Sequence, residues 1–389
     1  MIRNMKQYIM KGILSKLAAL LLGAGLIQAE GDGRFQLGKV NGRDCLIDPA
    51  GKPFLSLGVN HIQNVFQGEA ALPGDQRQAC EDILQKLTSW GYNTGGYGTP
   101  EPLCRMLPSF APMYLTMNAN YHSNEQFEYC DVFDPVVQQK MREVIQYEIG
   151  KQAGNSTLIG YYWTDTPQWD LERSRKKRGT DWVSMIRELP AGAPGKIRYE
   201  QFLAAGGDSD EAFLRLIARQ LYQVIGEETR RLAPDVLIFG ERYLVHDHPD
   251  CVIEEALPYI DVLSIQPGGV QFESAYFDRM HAKFKKPILV CDHQNSFPTP
   301  KYPKTMWQQL ESEEAVGMAY EQYLKDAFEK SYILGYQRCQ YIDRYADGAG
   351  KLKQGIVRED GTAYRTLTQA VRQANLQALE RFELHCKFK

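Results

Sequence analysis

Residues 158 to 170 read Leu158-Ile-Gly-Tyr-Tyr-Trp-Thr-Asp-Thr-Pro-Gln-Trp-Asp170. The run starts apolar, β-branched and aromatic, the composition of a parallel strand buried on both faces. It ends in a carboxylate, Asp165, bracketed by Trp163 and Trp169 and followed by Pro167, which stops the strand. A strand-end aspartate is commonly a cap for the next helix. The reading turns on whether the same apolar strand with a polar tip recurs along the chain.

It does. Segments 54–59, 92–97, 113–117, 158–163, 236–239, 262–265, 288–290 and 335–341 are eight strand candidates separated by helical patterns. Asp134-Pro135 is an N-cap followed by proline at the first helical position, and Val137, Met141, Val144, Ile145 and Ile149 recur at helical spacing. From Asp210 to Ala233, Phe213, Leu216, Ile217, Leu221, Val224 and Ile225 share one face before Pro234. Eight such alternations predict an α/β fold, a (β/α)8 TIM barrel, over residues 54–389. Residues 30–53 carry the turn signals Asn41-Gly42 and Pro49-Ala50-Gly51 and predict a short N-terminal β-hairpin covering the barrel's bottom. Residues 171–207, basic from Arg173 to Arg178, break the repeat and predict an insertion after strand 4 that walls a groove.

At the N-terminus, Lys6, Lys11 and Lys16 precede an apolar run from Leu17 to Ile27 and the small Ala29. This is the layout of a secretory signal peptide over residues 1–29, predicting a secreted or periplasmic protein with no stable membrane insertion once the signal is removed. The formal net charge of −3, with both signs interspersed, argues against nucleic acid as a partner. The eight cysteines show no CxxC spacing, and Cys291 and Cys339 lie in strand-like segments as buried thiols. No HxH or HExxH pairing occurs, so neither a metal nor another cofactor is expected.

In a barrel the chemistry sits at the C-terminal ends of the strands. Read in order, the tips carry Asn60 and His61, Tyr97, Asn118, Asp165, Glu241 and Arg242, Gln266, Asp292 and His293, and Gln337 with Arg338. Each acid alone could be a cap or an ion-pair partner. Three acids, Asp165, Glu241 and Asp292, on strands 4, 5 and 7 point instead to catalysis. Aromatic rings beside them suit pyranose rings, so the predicted partner is a carbohydrate substrate. Trp163 and Trp169 are expected in the site and Tyr162 in packing.

The runs Phe54-Leu-Ser-Leu-Gly-Val-Asn-His61, Trp90-Gly-Tyr-Asn-Thr94, Tyr162-Trp-Thr-Asp-Thr-Pro-Gln-Trp169, Gly240-Glu-Arg-Tyr243, Asp261-Val-Leu-Ser-Ile-Gln266 and Lys286-Pro-Ile-Leu-Val-Cys-Asp292 resemble exported bacterial agarase-like glycoside hydrolases, a group related to enzymes of algal galactans and sulfated fucans. The resemblance spans most of the chain after residue 53. It implies hydrolysis of a glycosidic bond by paired carboxylates, with retention. Agarases of this barrel type carry an Asn-Glu pair at tip 4 and a Glu at tip 7, where this chain has Asp165-Thr166 and Asp292. In placement the acids also resemble the α-amylase-like barrels, which implies Asp165 as nucleophile, Glu241 as acid/base and Asp292 as stabiliser. The other scheme makes Asp165 and Asp292 the working pair. A barrel that binds carbohydrate without cutting it is the alternative, favoured by Thr166 at the usual acid's position.

Overall fold

The computed structural model describes residues 33–66, 75–115, 129–305, 308–343 and 355–387. The N-terminal strands β1 (Gln36–Val40), β2 (Arg43–Ile47) and β3 (Pro53–Phe54) form a small antiparallel sheet, a hairpin with one added short strand. Eight parallel strands follow: β4 (Ser56–Val59), β5 (Thr94–Gly95), β6 (Ser109–Pro112), β7 (Leu158–Asp165), β8 (Leu237–Leu244), β9 (Leu263–Gln266), β10 (Ile288–His293) and, after the short pair β11 (Asn295–Ser296) and β12 (Gln308–Gln309), β13 (Ile333–Arg338). They close into a barrel in which β13 pairs with both β10 and β4. The predicted TIM barrel is the observed fold.

One strand lies earlier than the sequence reading put it. The third barrel strand is Ser109–Pro112, paired through Ser109 with Leu158, and not 113–117. An apolar run without alternation fixes no starting residue. Asn118, expected at this strand's tip, lies outside the described residues.

The helices are α1 (Gln76–Ser89), α2 (Glu101–Cys104), α3 (Pro135–Lys151), α4 (Leu171–Arg178), α5 (Trp182–Glu188), α6 (Pro194–Ala204), α7 (Asp210–Leu232), α8 (Asp250–Ala256), α9 (Ser274–Phe284), α10 (Glu313–Glu329) and α11 (Arg365–Lys387). Side-chain caps start several of them: Asp134 accepts from Val136 N at α3 and Ser209 from Ala212 N at α7. Each such cap is worth about 1 kcal/mol. The insertion after β7 is the three helices α4 to α6, and α7 is the crossover helix proper. No described helix is long and apolar enough to cross a membrane.

Two apolar layers hold the fold. Inside the barrel, Phe110, Ile159, Tyr162, Phe239, Leu289 and Leu334 pack together, and Phe35, just before β1, and Leu46 of β2 join them from below. A larger cluster lies between strands and helices, with Phe213, Ile217, Leu221 and Ile225 of α7 against the outer faces of the strands. The hairpin therefore plugs the barrel's bottom, and the chemistry is left to the opposite mouth.

Candidate active site

The mouth is built where two pairs of strands lose their regular register. Pairing between β7 and β8 shifts twice, between Tyr161 and Tyr162 and again between Tyr162 and Asp165, and pairing between β10 and β13 shifts between Val290 and His293. On β8 the irregularity falls at Gly240, which has a φ of +66°. Such bulges re-aim the side chains that follow them. Phe239 points into the barrel, Glu241 then points out, and Arg242 points in.

Arg242 is the centre of the site. Its Nη1 donates to Asp165 Oδ1 at 2.7 Å, its Nη2 donates to the Cys291 carbonyl at 3.0 Å, and the same Nη2 forms an ion pair with Asp292 Oδ2 at 2.8 Å. Its guanidinium lies 4.2 Å from the centre of the Tyr97 ring and 5.7 Å from that of Tyr162. The side chain is fully buried, while those of Asp165 and Asp292 keep 12% and 9% exposure at the mouth. Burial alone would lower the guanidinium's pKa, but the two carboxylates outweigh it and hold the pKa well above its ordinary value. The charge costs several kcal/mol to desolvate and is compensated by two opposite charges and two aromatic faces.

The carboxylates are held differently. Asp165 receives both its described donors on Oδ1, from Arg242 and from Gln266 Nε2 at 2.6 Å. Asp292 is held on both oxygens, Oδ1 by Asn60 Nδ2 at 2.9 Å and Oδ2 by Arg242. Asn60 also accepts from Tyr97 N at 2.8 Å, which ties the tips of β4, β5 and β10 together. His61, in the left-handed region with φ +55°, places Nε2 3.9 Å from Asp292 Oδ2 and sets its ring edge-on to Tyr97. Six predicted residues thus meet around Arg242: Asn60, His61, Tyr97, Asp165, Gln266 and Asp292. Gln337 lies in the floor, where its Oε1 accepts from the Tyr162 hydroxyl at 3.4 Å.

Other predicted residues lie elsewhere. Glu241 faces the helices, accepting from Trp169 Nε1 at 2.7 Å and from the Tyr222 hydroxyl on α7. It does not share the pocket of Asp165 and Asp292, because the bulge at Gly240 turns it through the barrel wall. Trp163 is buried in the helix layer, its Nε1 on Thr229 Oγ1 at 3.1 Å and its ring stacked on Tyr222. Trp169 stacks on Trp182 of α5 with centroids 4.9 Å apart, which pins the insertion. Tyr162, expected in packing, is the residue that faces Arg242. The expectation for the two tryptophans is therefore overturned, while Tyr162 packs in the barrel core as expected and also faces Arg242, since a strand apolar on both faces does not reveal which face is the lumen.

His293 also faces outward. Its ring stacks on Tyr323 of α10 at 3.8 Å, with Nδ1 on the Tyr336 hydroxyl and Nε2 on the Gly269 carbonyl. Burial lowers its pKa to about 3. Arg338 contacts Asn295, through its carbonyl at 3.1 Å and its side chain at 3.3 Å, and lies over the Tyr320 ring of α10. All eight cysteines are free thiols. One of them, Cys339, lies beside His61 and Asp292, a neighbour that spacing along the sequence does not reveal.

No protein-family model matches the sequence, and no curated protein matches it. Solved structures do. An exo-β-agarase superposes with a TM-score of 0.76 at 15% identity over 90% of this chain and 65% of that one. The agarase AgWH50C gives 0.75 at 16% identity over 96% and 69%, and BpGH50 gives 0.74 at 16% identity over 94% and 86%. The chain thus spans 65% of the length of the exo-β-agarase. At these identities the likeness is one of fold, and the fold of this chain is the agarase-like barrel.

Proposed function

We propose that this chain is a glycoside hydrolase that cuts a galactan- or fucan-type polysaccharide or oligosaccharide, with Asp165 and Asp292 as its working carboxylates. The observation that carries the reading is their meeting on one guanidinium at the C-terminal mouth of the barrel. Oxygens bound to the two terminal nitrogens of one guanidinium can stand up to about 8 Å apart, a ceiling that leaves room for the roughly 5 to 5.5 Å of a retaining pair. The agarases of the same fold support the substrate class.

The contacts divide the roles. Asp292, held on both oxygens by Asn60 and Arg242, is the oriented anion that attacks the anomeric carbon. Asp165 has both described donors on Oδ1, so Oδ2 is the oxygen that passes a proton to the leaving group and later takes one from water, with net retention. Tyr97 and His61 flank the position where the sugar ring would lie. Export belongs to the same reading, with cleavage near Glu30, and N-terminal sequencing of the native protein checks it.

The test is to incubate the protein with agar, porphyran, carrageenan and fucan fractions and to measure new reducing ends. At least one fraction should be shortened, and Asp292→Asn should abolish the effect. Binding without any shortening, in every fraction, would replace this reading with that of a carbohydrate-binding barrel.

A further inference from the structure

The barrel order places β10, β13 and β4 side by side. Their tips bring together Asp292, Cys339 and His61, from segments far apart in sequence. A carboxylate oxygen, the thiol sulfur and an imidazole nitrogen from these three lie within 4.8 Å of one another. Asp292 and Cys339 are buried, and His61 is partly open to the mouth. We propose that His61, Asp292 and Cys339 form a binding site for a thiophilic divalent cation, of which zinc is the type.

The donor set carries the assignment. Sulfur, imidazole nitrogen and carboxylate oxygen together favour zinc and its like over magnesium or calcium, which take oxygen. Three protein ligands leave a fourth position open, and His61, partly exposed, is the side from which it would be reached. Ligand atoms around a tetrahedral zinc stand roughly 3.5 Å apart, given bonds of about 2.0 to 2.3 Å. The existing separations, up to 4.8 Å, would have to shorten by roughly 1 Å to reach it. Binding breaks the Cys339 S–H bond and forms a sulfur–metal bond, and the proton leaves to solvent.

Arg242 is the opposing charge, 2.8 Å from Asp292 Oδ2. It keeps Asp165 as its second carboxylate at 2.7 Å, so a cation that takes Asp292 leaves the guanidinium paired. Two carboxylates against one guanidinium make the mouth net negative before any cation arrives. On the reading that Asp292 is the attacking anion, an occupied site and a working one exclude each other, so the cation would inhibit.

Cobalt(II), added to the reduced full-length chain, tests the site without any need for turnover. The expected result is a thiolate-to-cobalt charge-transfer band with the d–d absorption of a tetrahedral ion, both removed by zinc. Cys339→Ser and Cys339→Ala should lose the charge-transfer band, and His61→Gln should weaken cobalt binding by at least roughly tenfold. Absence of the band in the unaltered chain, or its survival in a Cys339 variant, would overturn the assignment. Circular dichroism checks that each variant folds. Should neither Cys339 variant fold, His61→Gln decides, since unchanged affinity there also overturns it. Because the readout is spectroscopic, failure here is distinct from failure to cut a glycan.

Discussion

Asp165 and Asp292, on strands that are not neighbours in the barrel, pair with opposite ends of one buried guanidinium. That shared partner fixes their spacing and gives each amide replacement a distinct signature. Asp165→Asn should cut turnover of the natural glycan by 10²- to 10⁴-fold yet be partly spared on an aryl glycoside with a good leaving group, which needs no proton. Asp292→Asn should be crippled on both. Steady-state rates on the two substrate types make the comparison, and near-normal turnover by folded Asp165→Asn would remove the scheme.

Replacing Arg242 by Ala leaves two carboxylates facing each other in a buried site. A loss of about 3 to 5 kcal/mol in unfolding free energy is expected. Adding Asp165→Asn should recover part of it, so that the two changes are strongly non-additive. Urea unfolding of the two single variants and the double variant measures the coupling, and simple additivity would show that the ion pairs do not interact.

Glu241→Gln should act on stability. Both described donors, Trp169 Nε1 and the Tyr222 hydroxyl, meet on Oε2, so a glutamine carbonyl placed there keeps them, while its NH2 takes the buried place of an acceptor oxygen. The expected cost is about 1 to 3 kcal/mol. The pattern of rates with leaving group should stay that of the unaltered protein. A selective rescue on activated substrates would return Glu241 to the role of acid.

How far the sequence could be read follows from these residues. The eight strands and most of their tips are legible because apolar runs alternate with capped helices, a pattern set by local chemistry. The facing of side chains at the tips is not. Tyr162 and Trp163 are both large and apolar, so neither marks the lumen. Glu241 and Arg242 are both charged, and a count by twos from Phe239 assigns them the wrong way round once Gly240 interrupts the strand. Cys339 is legible only as a buried thiol, because its neighbours, His61 and Asp292, come from strands joined only when the barrel closes.

His293 makes stability depend on pH. Its folded pKa of about 3 lies below the ordinary 6.5, because burial disfavours the imidazolium. The unfolded chain therefore binds the extra proton between these values, and the contribution, complete above pH 6.5, is lost as pH falls towards 3. The slope from this group approaches 1.36 kcal/mol per pH unit. Imidazole NMR of the folded protein should show no titration of His293 between pH 7.5 and 5. A titration midpoint near 6.5 would refute the assignment.

Gly240→Ala should destabilise the fold by about 1 to 3 kcal/mol, the usual cost of a strained backbone position. The φ of +66° is unfavourable for alanine, and its Cβ would meet Ile260 Cγ2 at 2.7 Å. Thermal unfolding measures the loss, and an unchanged midpoint would mean that the bulge relaxes freely.

The bend at Gly240 also sets the polarity of the cavity above it. A strand running straight through that position would turn Glu241 inward and Arg242 outward, lining the same bowl with three carboxylates and no guanidinium. Such a bowl would draw cations and repel acidic sugars far more strongly than the present one, with two carboxylates against one guanidinium. The electrical character of this mouth is thus encoded in a backbone angle, and two barrels of identical charge composition could differ in which ligands they admit.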